Sequence, residues 1–157
     1  MSKILVVFHS YSGNTRAVGR AIAARLGADT EEIVDLKQKH GALLYLIGGF
    51  KAKLGSLTKI APAQKNPADY DLVIIGSPVY AAALASPVRT YVAQHRAGFK
   101  RVALFVTGGD PSTAPALSKF AQALGQAPVA TLGVAQADVK ADAYAAAVET
   151  FCAQLGG

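Results

Sequence analysis

Lys3-Ile4-Leu5-Val6-Val7-Phe8-His9 runs directly into Ser10-Tyr11-Ser12-Gly13-Asn14-Thr15, and the reading of this junction decides the fold. The first stretch is a short β-branched and aromatic run, which reads as a buried strand. The second is polar and contains a glycine, which reads as a loop. Beyond it Val18, Ile22 and Leu26 recur at helical spacing, and Gly27 stops the pattern. Strand, loop and amphipathic helix in this order form the first half of a parallel crossover unit.

The same alternation continues along the chain. Strands are expected over Thr30–Asp35, Asp71–Gly76, Lys100–Thr107 and Val129–Val134. Helices are expected from Pro87 to about His95, from Ala114 to Leu124 before Gly125, and from Ala141 to Leu155. Asp71-Leu-Val-Ile-Ile-Gly76 is continuously apolar at its centre, as suits a parallel strand covered on both faces. Strand–helix alternation specifies a parallel sheet with right-handed crossovers and helices on both faces. The expected fold is therefore a three-layer α/β/α sandwich around a five-stranded parallel sheet of order 2-1-3-4-5. Its ligand crevice would lie at the carboxyl ends of strands one and three.

Composition agrees with one folded domain. The chain has 157 residues, within the range of one domain, and is 52% apolar and 17% charged. That much apolar surface offsets the ordering entropy of a chain, so disorder is excluded as the main state. No apolar stretch approaches the ~20 residues of a spanning helix. The N-terminus enters its strand with no small-residue cleavage site, so no signal peptide is expected. Cys152 is the single cysteine, which excludes an intrachain disulfide and a thiolate metal cluster. These features together give the expectation of a cytoplasmic protein. The net charge of +6 favours acidic partners or an anionic ligand.

Ser10–Thr15 carries the strongest chemical signal. It places three hydroxyls (Ser10, Ser12, Thr15), the Asn14 amide and several backbone N–H groups at the ligand end of the sheet. The helix that follows adds the positive end of its dipole. Gly13 permits a tight turn and close backbone approach. This chemistry suits a dianionic phosphate without any lysine. The competing reading for each Ser or Asn alone is a helix cap.

Ser10-Tyr-Ser-Gly-Asn-Thr15 resembles the flavodoxin-family phosphate loop, [ST]-x-[ST]-G-N-T. The resemblance extends over the whole chain. Gly76-Ser77-Pro78-Val79-Tyr80 follows the third strand and Thr107-Gly108-Gly109-Asp110-Pro111 the fourth, where that family grips its flavin. The resemblance implies FMN as cofactor, on the flavodoxin-like fold already expected. Ser10, Tyr11, Ser12, Gly13, Asn14 and Thr15 would hold the phosphate. Ser77, Pro78 and Val79 would lay backbone groups near the ring's N5 edge. Tyr80 would offer a flat face to the ring. Thr107, Gly108 and Gly109 would bring N–H groups to its pyrimidine edge. The alternatives are a core or surface aromatic for Tyr80 and an ordinary turn for Gly108-Gly109. Asp110 reads as a turn residue, and Arg16 as either a phosphate aid or a solvated side chain.

Charge-assisted hydrogen bonds contribute roughly 1.5–3 kcal/mol each. Association itself costs roughly 4–15 kcal/mol. A phosphate loop alone therefore selects FMN over riboflavin, and tight binding requires the ring loops too.

Three departures from the family separate this chain from electron-carrier flavodoxins. It has no tryptophan, and no aromatic between Thr107 and Ala116. Ala81 and Ala82 follow Tyr80 where carriers often have a glycine whose peptide flips on reduction. The chain is also basic, where carriers are usually acidic. The expected function is a small FMN-dependent oxidoreductase passing electrons from a reduced nicotinamide or a protein donor to a quinone-like acceptor. A one-electron carrier serving an acidic protein partner and a non-catalytic interaction module are the alternatives. No side chain reads as a committed general acid or base, and His9, His40 and His95 read as structural or surface residues. No G-x-x-x-x-G-K-[ST] loop, G-x-S-x-G elbow or H-E-x-x-H helix is present. No metal site is expected.

One segment breaks the rhythm. About residues 37–68 form a basic, partly apolar insertion into the single domain, with six lysines (Lys37, Lys39, Lys51, Lys53, Lys59, Lys65) and no acid from Leu36 to Ala68. A helix is expected over Ala42–Leu54 with Leu43, Leu46, Ile47, Phe50 and Leu54 as its core stripe. The segment reads as a solvated basic face, as a homodimer or partner contact through Leu44, Tyr45 and Phe50, or as a contact with an anionic membrane surface. No specific nucleic-acid binding is expected, because no recognition motif accompanies the charge.

Overall fold

The computed structural model describes residues 2–36, 58–80, 83–109 and 113–156. The helix expected over 42–54, its neighbouring lysines, Ala81, Ala82 and Asp110 lie outside the described residues.

The first half-unit folds as read. Strand β1 is Ile4–Phe8 and helix α1 is Asn14–Leu26. Strand β2 is Asp29–Glu32, and a 3-10 turn at Pro67–Asp69 leads into β3, Leu72–Tyr80. A two-residue strand β4, Ala83–Leu84, precedes helix α2, Ser86–His95. Strand β5 is Arg101–Gly108, followed by helix α3, Thr113–Leu124. Strand β6 is Thr131–Ala135, and the chain ends in helices α4, Gln136–Lys140, and α5, Ala145–Gln154.

Five strands pair in parallel in the order β2-β1-β3-β5-β6, with β4 antiparallel to the end of β3. Counting the parallel strands alone, this is the expected 2-1-3-4-5 order. The sheet is covered on both faces, which is why its central strands are apolar without interruption. Val6, Phe8, Leu72, Ile74, Ala103 and Phe105 face α1 and α5, where Val18, Ile22, Phe151 and Cys152 complete the layer. Leu5, Val7, Val73, Ile75, Val102 and Leu104 face α2 and α3, meeting Val88, Tyr91, Val92 and Phe120. Gly76 is required by this packing. A β-carbon there would overlap the Phe105 ring on the neighbouring strand.

Three boundaries differ from the sequence reading by more than two residues. β3 runs four residues beyond Gly76, because Ser77 and Pro78 continue the ladder with Val106 and Thr107 of β5. Pro78 signals a break, yet it stands at the last pair of that ladder, where a missing N–H costs least. The expected closing helix over Ala141–Leu155 begins only at Ala145, and a separate short helix, α4, ends before that span at Lys140. Asp142 has φ 54, and the Ala143 N–H donates to the Asp138 carbonyl, which turns the chain. Aspartate tolerates this left-handed conformation, so an alanine-rich run without glycine or proline gave no warning. β2 is shorter than expected and keeps its acidic residues at least partly exposed on the edge of the sheet.

Candidate functional site

The carboxyl ends of β1, β3 and β5 converge, as parallel register requires. His9 fixes the end of β1. Its N–H reaches the Gly76 carbonyl of β3 at 3.4 Å, and its Nδ1 lies 2.8 Å from the Ile33 carbonyl beyond β2. A carbonyl only accepts, so Nδ1 carries the proton. The imidazole is buried, and that burial lowers its pKa. His9 is therefore a neutral strut that ties three strands together, and its ring meets Tyr11 edge-on at 4.5 Å.

The loop after His9 divides into supports and open donors. Gly13 N–H donates to Ser10 Oγ at 3.0 Å, so Ser10 braces the turn. Gly13 has φ 95, a left-handed conformation that favours glycine, and it is the N-cap of α1. That helix start has no side-chain cap and no acidic residue in its first turn. The N–H groups at the start of α1 therefore face the loop without an internal partner, the arrangement that accepts an anion. Ser12 is exposed, and Asn14 is partly so.

Thr15 is buried and joins the first loop to the third. Its Oγ1 lies 2.8 Å from Oγ1 of Thr107, itself buried at the end of β5. Tyr11 joins the first loop to the second. Its ring lies 5.6 Å from that of Tyr80 at an interplanar angle of 49°, and Tyr80 is 50% exposed. The sequence-predicted loops are thus in mutual contact through two pairs, Thr15–Thr107 and Tyr11–Tyr80.

Other expected ring residues are placed differently from a loop. Ser77, Pro78 and Val79 are buried strand residues. Ser77 Oγ donates to the Pro78 carbonyl at 2.8 Å and accepts from the Ala85 N–H at 3.0 Å, which ties β3 to the residue after β4. The Val79 side chain is part of the core, and its Cα pairs with Leu84. These three support Tyr80 at the end of a stiff strand. Gly108 ends β5, and Gly109 is exposed with open space where a β-carbon would stand.

Sequence reasoning gave Arg16 no settled role and missed Glu32. Arg16 Nε lies 3.2 Å from Glu32 Oε2, and its Nη2 lies 2.5 Å from Oε1. Glu32 stands beside Phe8 in the β1–β2 register, so its position depends on strand pairing that no local motif announces. Among the described residues there is no His, Cys, Asp and Glu cluster that could hold a metal, and no helix long and apolar enough to cross a membrane.

This geometry defines a doubly wound α/β protein in which the loops after β1, β3 and β5 meet at the carboxyl ends of the strands. A family model described as a flavodoxin domain matches residues 48–150, and the chain belongs to that family, which binds FMN. The matched span contains the second and third loops, and the phosphate-type loop lies before it. Among solved structures, a flavoprotein in complex with FMN from Lactobacillus acidophilus NCFM is 22% identical, with a TM-score of 0.73 over 90% of this chain and 97% of that one. The oxidised flavodoxin 1 from Bacillus cereus is 19% identical, with a TM-score of 0.60 over 98% and 96%. The Trp repressor binding protein from Bacillus subtilis is 13% identical, with a TM-score of 0.64 over 97% and 99%. At these identities the likeness is one of fold. No curated protein sequence matches the chain.

Proposed function

We propose that the chain binds FMN at the three converging loops and acts as a small flavin-dependent oxidoreductase. The observation that carries this reading is the joining of the loops through Thr15–Thr107 and Tyr11–Tyr80. The donor set fits the cofactor. The uncapped start of α1, with Ser12, Asn14 and Thr15, would hold the phosphate dianion. Ser10 would keep the turn in shape. Tyr80 would lie against the isoalloxazine ring, with the backbone of Pro78, Val79 and Thr107–Gly109 along its polar edges.

Bound FMN supplies the capacity to accept and release electrons. The protein's part is to bind and orient it. Tyr80 is the one aromatic at the ring loops among the described residues, so one ring face is left for a planar donor or acceptor. That suits electron transfer from a reduced nicotinamide or a protein donor to a quinone-like acceptor. A net charge of +6 argues in the same direction, since a nicotinamide dinucleotide and an acidic protein donor are both anionic. The residues 42–54 are proposed as the contact with a second copy or with an anionic membrane surface, tested by loss of that association on their deletion.

The test is an anaerobic stepwise reduction of the FMN-loaded, desalted protein, followed by its visible spectrum. Direct passage to the two-electron form, and reduction by NADH or NADPH, are the expected results. A stable one-electron form would instead make the chain a carrier. A protein that retains no flavin would be an interaction module.

A further inference from the structure

We propose that Arg16 is an additional ligand for the phosphate of the bound nucleotide, and that Glu32 is the residue that positions it. The inference rests on the FMN reading above and adds a charged group to a loop whose other donors are neutral.

The argument starts from the guanidinium fork. Arginine has five N–H donors in a fixed plane. Glu32 occupies Nε and Nη2, so the planar group cannot swing freely. Among the described residues, no hydrogen bond is made by Nη1. A β-carbon placed on Gly13 would lie 3.9 Å from Nη1, so this free end lies over the turn of the loop, above the uncapped start of α1. The bidentate pair thus aims two donors at carboxylate and leaves the third nitrogen beside Gly13, the N-cap of α1. Glu32 owes its own position to the β1–β2 ladder beside Phe8. An exposed ion pair on its own contributes little to folding. Its geometric effect on Nη1 is the larger consequence.

The chemistry selected is a terminal phosphate monoester. Riboflavin, which has no phosphate, gains nothing from Arg16. The Glu32 charge also moderates the local positive potential, which disfavours indiscriminate anion capture.

The experiment measures FMN and riboflavin affinity by quenching of flavin fluorescence in the wild type, R16Q, R16K, E32Q and R16Q/E32Q. In R16Q, FMN should weaken about tenfold or more and riboflavin less than about twofold, as expected for one charged hydrogen bond. R16K should recover part of the loss, because a point charge remains without the fork. At high salt, where long-range attraction is screened, E32Q should weaken FMN several-fold. In the R16Q background the same change should have no further effect, because Glu32 acts only through Arg16. Inorganic phosphate should compete with FMN at lower concentration in wild type than in R16Q. Equal effects of R16Q and R16K on both flavins, or none, would overturn the role of Arg16. An undiminished E32Q effect in the double variant would overturn the role of Glu32. A wild type that binds neither flavin would remove the FMN reading itself.

Discussion

Thr15 at the start of α1 and Thr107 at the end of β5 share a hydrogen bond of 2.8 Å between their hydroxyls, both buried, across 92 residues of sequence. Either hydroxyl can be the donor. If Thr107 donates, the Thr15 hydroxyl proton remains available to an anion in the loop. The pair is therefore both a tie between two loops and a means of orienting one donor.

Its removal has an asymmetric outcome. T107V leaves a buried hydroxyl unsatisfied and should cost about 1–3 kcal/mol of stability. The double variant T15V/T107V removes both partners at nearly constant shape and should be less destabilised than the sum of the single variants. Denaturant unfolding of the four proteins tests this.

Replacing Asn14 and Thr15 together with alanine should weaken FMN more than riboflavin, since both residues are assigned to the phosphate. Equal loss for the two ligands would refute that assignment.

Tyr80 is assigned to the ring, so Y80L should weaken FMN and riboflavin alike. An aromatic contact contributes about 0.5–1.5 kcal/mol beyond its area, which corresponds to roughly a two- to tenfold change. Because Tyr80 is half exposed, the melting temperature of the free protein should hardly move. A loss confined to FMN would place Tyr80 at the phosphate instead.

G76A should be strongly destabilising, by about 1–3 kcal/mol or more, because its methyl group would overlap the Phe105 ring within a close-packed layer. F105L should recover part of the loss by clearing that space. Thermal unfolding of the single and double variants is the check.

The pH dependence of stability follows from His9. Its folded pKa lies below the ordinary 6.5 because burial disfavours the imidazolium. Below pH 6.5 the unfolded chain therefore binds more protons than the folded one, and stability falls as pH falls until the folded pKa is passed. His95, lowered for the same reason, adds to the slope. H9Q should flatten the curve below pH 6.5 without abolishing it. An unchanged slope would mean that His9 titrates alike in both states.

What could be read in the sequence was local. The strand–loop–helix at Lys3–Leu26 announces itself through apolar runs, a glycine turn and helical spacing. The alternation that follows fixes the sheet order and so the crevice. Pro78 shows where such reading stops. Its missing N–H looks like the end of a strand, whereas its pairing opposite Thr107 is set by a partner far along the chain. The Ser77 motif directs attention to its backbone, and nothing local announces that its hydroxyl accepts from the Ala85 N–H eight residues on. Arg16–Glu32 and Thr15–Thr107 arise only when β1, β2 and β5 come into register, so no motif within one loop could contain them.

The outer side of β2 has a consequence for behaviour at high concentration. Its sequence is Asp29-Thr30-Glu31-Glu32, and the Glu31 carboxylate accepts the N–H groups of Gln64 and Lys65. The Lys65 ammonium donates to the Thr30 carbonyl. A row of like charges, with part of its backbone already engaged, offers a poor template to a strand from another molecule. On this side the sheet ends in its own chain, and growth into fibres by edge addition is opposed by the residues that finish the fold.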